Sequence, residues 1–174
     1  LVGADVLETD LAQWGPAVVA GNLPYYISSP VIQRILWQGK TLRRAVLLVQ
    51  AEVAARLAAQ PGTRDYGYLS VCTQLLAKTE ILFPVPPTAF HPPPKVDSAA
   101  VHLEMRDRSE DLGIGDPRGF LKFVGECFKQ KRKTIRNNLA ETYGKNAIDG
   151  WEEASLRAEQ LPIERFAEMY RRLQ

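Results

Sequence analysis

Histidine and cysteine are scarce in this chain. Cys72, Cys127, His91 and His102 are all there is among 174 residues, too few and too scattered for a disulfide framework or a zinc cluster. Both cysteines lie among apolar neighbours and read as reduced core thiols. No apolar run approaches the roughly 18 residues that a membrane span needs, and no charged-then-apolar leader opens the chain. A glycine-rich loop of the phosphate-cradling GxGxG kind is also missing, as are internal repeats and low-complexity tracts. With 45% hydrophobic and 24% charged residues, disorder is excluded too. The expectation is a soluble, cytoplasmic, metal-free protein. The chain starts at Leu1 rather than Met, and Val2-Gly3-Ala4-Asp5-Val6-Leu7 reads like the end of a strand, so it is expected to be cut from something longer.

The formal charge of +2 hides an asymmetry. Residues 1–116 sum to −2 and residues 117–174 to +4, which makes the second part the candidate for meeting polyanions. Residues 16–21 form a short apolar run that ends at a glycine and empties into Asn22-Leu23-Pro24-Tyr25, as a buried strand does. Ser29-Pro30 then predicts a helix start, with serine as cap and proline in the first helical position. Residues 44–49 are a second strand, followed by helices over 52–59 and 67–77. Strand, helix, strand, helix at this spacing predicts an α/β layered sheet with parallel strands joined by crossover helices. Residues 81–85 and 99–105 add two strands, the latter alternating Val101, Leu103 and Met105 against His102 and Glu104. The prolines between them, from Pro86 to Pro94, predict a stiff extended loop.

Residues 107–116 are polar and glycine-containing and read as a linker. Beyond them, Phe120, Phe123, Val124, Cys127 and Phe128 form one helical stripe, and Ile163, Phe166, Tyr170 and Leu173 another, enough for a small helical domain. Residues 129–136 hold five cations and no acid. On an ideal helix Lys129, Arg132, Lys133 and Arg136 share one face, either a phosphate-contacting stripe or a solvated surface. Lys131 would fall in the apolar stripe of a helix continued from Phe120, so a break is expected near Gln130. Asn137 and Asn138 either extend the polar contact or satisfy backbone groups.

The tetrapeptide Asn22-Leu23-Pro24-Tyr25 carries the sharpest chemical signal. It reads either as a plain strand-end turn or as a grip on an exocyclic amine. The N6 lone pair of adenine is delocalised into its ring. Acceptors at its two hydrogens, the Asn22 side chain and a loop carbonyl, make that nitrogen more nucleophilic and orient it for in-line attack. Tyr25 would stack on the base, which has to be extruded from its helix first. Ligands of open α/β sheets bind beyond the carboxyl ends of the strands, where this loop falls.

Five blocks in order then resemble one family. They are Gly21-Asn22-Leu23-Pro24-Tyr25-Tyr26-Ile27-Ser28; Gln50-Ala51-Glu52-Val53 with Tyr66-Gly67-Tyr68-Leu69-Ser70-Val71; Ala89-Phe90-His91-Pro92-Pro93-Pro94-Lys95-Val96-Asp97-Ser98; Phe128-Lys129-Gln130-Lys131-Arg132-Lys133-Thr134-Ile135-Arg136-Asn137-Asn138-Leu139; and Arg157-Ala158-Glu159-Gln160. The chain resembles the ribosomal RNA adenine dimethyltransferases, which include the bacterial small-subunit enzyme, its eukaryotic counterparts and the erythromycin-resistance methylases.

The resemblance implies the carboxy-terminal part of a Rossmann-like, S-adenosylmethionine-dependent methyltransferase sheet over residues 1–106, a linker over 107–116 and an all-helical RNA-binding domain over 117–174. It implies that Asn22, Leu23, Pro24 and Tyr25 are the catalytic loop and that Phe90 is the second aromatic face against the base. Asp5 and Asn22 would contact S-adenosylmethionine, Asp5 through the cofactor's adenine amino group. Lys95, Lys129, Lys131, Arg132, Lys133, Arg136 and Asn137 would contact RNA. The implied reaction is dimethylation of two adjacent adenines in the 3′-end hairpin of 16S-type RNA, by a monomer acting on an assembling small subunit. The family's glycine-rich loop would precede Leu1. This chain alone is therefore expected to bind the methyl donor weakly or not at all, to be inactive, and to leave an unpaired sheet edge with apolar surface. Two alternatives remain open: a non-catalytic RNA-binding or ribosome-assembly factor, and a large-subunit, antibiotic-resistance type methylase. Leu23 and the 131–137 block look more like the small-subunit branch.

Overall fold

The computed structural model describes residues 2–174. By their contacts these form two units, the residues up to 58 with 73–107, and residues 59–72 with 108–174.

The first unit is a four-stranded sheet with helices. Its strands are β1 (Ala17–Asn22), β2 (Leu42–Gln50), β3 (Ala77–Val85) and β4 (Ser98–Met105), in the spatial order β1-β2-β4-β3. β1 and β2 are parallel, as the strand-helix-strand spacing predicts, with α1 (Ser28–Leu36) between them in sequence. β4 runs antiparallel to both of its neighbours. It must do so, because the chain passes from β3 to β4 through the proline loop and not through a crossover helix, and so re-enters the sheet at the end where β3 left it. Leu42, Ala45, Leu47 and Val49 of β2 and Val101 and Leu103 of β4 are buried. Val31, Ile32, Ile35 and Leu36 bury one face of α1, and Val53, Ala54 and Leu57 bury one face of α2 (Ala51–Ala58). Each valine, leucine or isoleucine among them contributes about 1.5–3 kcal/mol relative to exposure. β1 forms one edge of the sheet and leaves Val18 64% exposed.

Two local expectations are corrected. Residues 2–7 are not the end of a strand. The Asp5 carboxylate accepts the Leu7 amide at 2.8 Å, and the Asp5 carbonyl accepts the Glu8 and Thr9 amides, so the chain turns there. α1 begins at Ser28 instead of being capped by Ser29, and the Ser28 hydroxyl donates to the Pro24 carbonyl at 2.9 Å. Pro30 still falls in the first turn, where a missing N–H breaks no helical bond.

The second unit is built on α4 (Pro117–Cys127), α5 (Ile135–Tyr143) and α6 (Ile163–Arg171). Phe120, Phe123, Val124, Cys127, Ile163, Phe166 and Tyr170 are buried, as the two stripes predict, while Phe128 and Leu173 are half-buried, and Leu139 of α5, outside both stripes, is buried too. Rings stack at their edges or tilted, Phe120 on Tyr170 at 5.7 Å and Phe128 on Phe166 at 5.6 Å. The buried Glu153 carboxylate is flanked by Arg165 and Arg172, at 3.4 and 3.1 Å, which compensates its charge.

The boundaries differ from the sequence reading. Residues 59–72 pack in this second unit: Tyr66 lies 6.1 Å from the Phe128 ring, and the Gly62 amide donates to the Glu159 carbonyl at 2.7 Å. Residues 108–116, expected as a linker, bury Leu112 and Ile114 and pair Arg108 with Glu164 at 3.0 Å. α3 (Tyr68–Leu76) contains the division between the units.

α4 starts at Asp116, whose carboxylate accepts the Arg118 and Gly119 amides at 3.1 and 3.0 Å, with Pro117 in the first helical position. A Cβ added at Gly119 would collide with that carboxylate and with the Tyr170 hydroxyl. Gly119→Ala is therefore expected to destabilise the protein by about 1–3 kcal/mol through overpacking and loss of the cap. Gly67→Ala, which meets open space, serves as the control, and urea denaturation measures both.

Candidate functional site

The carboxyl ends of β1 and β2, the end of β3 and the start of β4 lie at one end of the sheet, since Asn22 is paired with Leu48, and Ser98 with both Gln50 and Val85. There Asn22, Leu23, Pro24 and Tyr25 line a cleft of about 320 Å³ together with Phe90, Pro92 and Pro94. Five of the residues singled out from the sequence thus meet in one place. Asn22 is exposed at the strand end, and the Leu23 amide still donates to the Leu48 carbonyl at 3.0 Å, so the loop leaves the sheet under tight control. The Pro24 carbonyl is already taken by the Ile27 amide at 3.2 Å and the Ser28 hydroxyl at 2.9 Å. Tyr25 opens a short 3-10 turn, Tyr25–Ile27, and its hydroxyl lies 2.7 Å from that of Ser98. Phe90 ends another, Pro87–Ala89, and is followed by the cis peptide between His91 and Pro92. Acceptors at the rim with aromatic and proline walls suit a flat ring that carries an amine.

Ser98 was not singled out by sequence reasoning. Its signal is faint: a lone serine opening a strand, whose partner lies 73 residues away in the chain.

The other predicted residues lie elsewhere. Asp5 is exposed and outside the lining of the cleft, with one carboxylate oxygen committed to the Leu7 amide. Lys95 lines a separate hollow of about 360 Å³ with Gln50, Ala51, Glu52, Val96 and Asp97.

The basic segment of the second unit is not the helical stripe that its spacing suggested. α4 stops at Cys127 and α5 starts only at Ile135, so Lys129, Lys131, Arg132 and Lys133 lie in the connection and only Arg136 is helical. The expected break near Gln130 is real, and Asn138 explains it. This buried amide donates to the carbonyls of Cys127 (2.8 Å), Gln130 (3.2 Å) and Lys133 (3.4 Å) and accepts the Gln130 amide at 3.1 Å, in place of a continued helical ladder.

Three of the five cations are committed. Lys129 pairs with Glu141 at 2.9 Å and holds that carboxyl below its usual range. Arg136 forks onto Asp149 at 2.5 and 3.2 Å and lowers its pKa likewise, chiefly by hydrogen bonding. Lys131 donates to the Arg64 carbonyl at 2.6 Å and lies 3.7 Å from Glu159. Arg132 and Lys133 have no acidic partner among the described residues, and with Gln130 they line a hollow of about 500 Å³. Asn137 is exposed, and its amide bonds the Thr134 hydroxyl at 3.4 Å.

Among the described residues, no cluster of three or more His, Cys, Asp or Glu is placed to hold a metal ion, and no helix is long and apolar enough to cross a membrane. Cys72 and Cys127 are buried, and burial pushes the Cys72 thiol up to about 12, which keeps it protonated and unreactive.

Comparison with known proteins gives concordant likenesses. A family model described as ribosomal RNA adenine dimethylase matches residues 2–174. The chain is 44% identical to ribosomal RNA small subunit methyltransferase A of Acidobacterium capsulatum over 180 residues, covering 98% of this chain and 63% of that protein. It is 38% identical to the protein of the same name from Chlorobium luteolum, covering 100% and 63%. The chain thus spans less than two thirds of the length of these two relatives. Among solved structures, a dimethyladenosine transferase from Plasmodium falciparum shares the fold with a TM-score of 0.80 at 23% identity, covering 97% of this chain and 70% of that one. The 23S rRNA methyltransferase ErmE superposes with a TM-score of 0.64 at 26% identity, covering 99% and 70%. The sheet is accordingly a Rossmann-like methyltransferase sheet.

Because the connection between α4 and α5 hangs on one buried amide, Asn138→Ala is expected to cost about 1–3 kcal/mol, the penalty for orphaning buried backbone groups. Hydrogen exchange should show the Gln130 amide losing protection more than the amides of α6.

Proposed function

Since this chain belongs to the ribosomal RNA adenine dimethylase family, we propose that it carries the base-binding and RNA-binding parts of an enzyme that dimethylates N6 of two adjacent adenines in the 3′-end hairpin of small-subunit ribosomal RNA. The observation that carries this reading is the single cleft lined by Asn22, Leu23, Pro24, Tyr25 and Phe90 at the carboxyl end of β1. Its volume of about 320 Å³ lies at the lower end of the range for ligand pockets, as befits one extruded base.

The chain's own residues do the following. Tyr25 and Phe90 receive the flipped adenine between aromatic surfaces. The Asn22 side-chain oxygen and the Leu23 carbonyl accept the two N6 hydrogens, which draws the lone pair out of conjugation and aims it. The N6 proton leaves to solvent without a general base.

S-adenosylmethionine, the donor the family implies, supplies an electrophilic methyl group when bound. Asp5 and Asn22 are the residues of this chain that would hold it. Asp5 fits, because it is exposed and only one of its carboxylate oxygens is committed, so the other is open to an amine.

The sheet unit does the chemistry and the helical unit binds RNA, on an assembling small subunit in the cytoplasm, as a monomer. Arg132 and Lys133 are the phosphate-contacting cations, aided by Asn137 and, from the sheet unit, Lys95. Lys129, Lys131 and Arg136 serve first as braces, since their charges are already matched by acids. A small-subunit target is preferred over a large-subunit one because relatives named for the small subunit reach 44% identity, against 26% for ErmE.

Asn22→Ala in the full-length protein is expected to lower kcat by about 10²–10³-fold, the effect of deleting one preorganised polar group, with RNA affinity unchanged. Methyl incorporation and RNA binding, measured side by side, check this, and wild-type turnover would refute the assignment. A second expectation concerns salt. Replacing Arg132 and Lys133 together by alanine should flatten the log–log dependence of RNA affinity on salt by about 1–2 units, as for two lost phosphate contacts. Lys129→Ala should leave that slope nearly unaltered.

A further inference from the structure

We propose that Ser98 is a positioning residue for this reaction, holding the Tyr25 ring in the attitude in which it stacks on the base. The inference rests on the reading of Asn22–Tyr25 as the base-binding loop and adds a residue outside it. Ser98 is the first residue of β4 and is paired across the sheet with Gln50 of β2 on one side and Val85 of β3 on the other. Its side chain is fully buried and its hydroxyl lies 2.7 Å from that of Tyr25. Tyr25, by contrast, sits outside the sheet in a short 3-10 turn and is partly exposed.

A tyrosine on such a turn has two soft torsions, and apolar contact alone does not set the plane of its ring. Here the ring is held at both ends. The backbone fixes its Cα, and the hydrogen bond fixes its hydroxyl oxygen against an atom that two strands hold in register. The remaining freedom is rotation about the long axis of the ring, which the directionality of the phenolic bond restrains. The coupling works in both directions, because Tyr25 swinging away would strand a buried serine hydroxyl. Ser98 also ends the segment that supplies Phe90, Pro92 and Pro94 to the opposite wall. Both walls of the cleft are thereby referred to one point.

A ring that stacks in the wrong plane still binds the base but presents N6 off line. The loss therefore falls on turnover and not on binding. A purely structural serine would shift stability and leave this split untouched.

The test uses the full-length protein and small-subunit ribosomal RNA, with kcat and KM for methyl incorporation and melting temperatures measured for Ser98→Ala, Ser98→Thr, Tyr25→Phe and the Ser98→Ala/Tyr25→Phe pair. Ser98→Ala and Tyr25→Phe should each lower kcat on the order of tenfold, the worth of one net hydrogen bond, at unchanged KM. Ser98→Thr, which keeps the hydroxyl, should restore kcat, and the pair should be no slower than either single variant. Wild-type kcat in folded Ser98→Ala, or losses that multiply in the pair, overturns the role of Ser98. If Asn22→Ala is inactive in the same assay, the reading of the loop stands without it, whereas a fully active Asn22→Ala removes both. Where Ser98→Ala does not fold, Tyr25→Phe decides alone, and wild-type turnover there overturns the proposal.

Discussion

The pairing of β4 between β2 and β3 is the constraint on which the working end of the sheet depends. Because β3 runs in the same direction as β1 and β2, the chain leaves it at the end where β1 and β2 also empty their loops. Residues 86–97 have no route to the opposite end, and β4 descends from where they stop. This brings Phe90 and Ser98 to the loop after β1. The connecting segment is not the extended loop that its prolines suggested: it folds through the 3-10 turn Pro87–Ala89, and Phe90, which ends that turn, lines the cleft. Register matters as much as direction, since a slip of one residue would turn Ser98 to the other face of the sheet.

Electrostatics organises the helical unit in a different manner. Exposed ion pairs add little to stability in water, yet they decide which charges are already matched. Glu141, Asp149 and Glu159 take Lys129, Arg136 and Lys131 respectively. What faces solvent unmatched is a narrower basic surface than the composition suggests. Two adjacent cations on a connection of fixed outline are better suited to recognising a phosphate than five on a mobile tract, because less ordering remains to be done on binding.

Local patterning carried much of this into the sequence. β1 and β2 are legible as short β-branched runs, β4 as an alternation of Val101, Leu103 and Met105 with polar residues, and the helical unit as two aromatic stripes. The loop at Asn22 and the proline segment with Phe90 each stand out locally in the sequence, and the structure brings them to one cleft. What escaped is non-local or masked. The first half of β3 holds Lys78, Thr79 and Glu80 at the sheet edge, where no buried face imprints a period. The allegiance of residues 59–72 turns on Tyr66 meeting Phe128, a contact that no window of sequence contains. The basic segment satisfied helical spacing on paper, but spacing does not register a competing side chain. Asn138 offers the backbone four bonds that a helix would have had to outbid. The tie between Ser98 and Tyr25 is invisible for the same reason.

The bracing of residues 128–134 by Asn138 has a corollary. The shape of the connection is dictated from the first turns of the following helix, by an amide that reads only main-chain atoms. None of its bonds involves the side chains at 132 and 133, so substitutions there leave the bonds that hold the curve in place. Frame and surface charge are thus set by different side chains, the one at 138 and the other at 132 and 133.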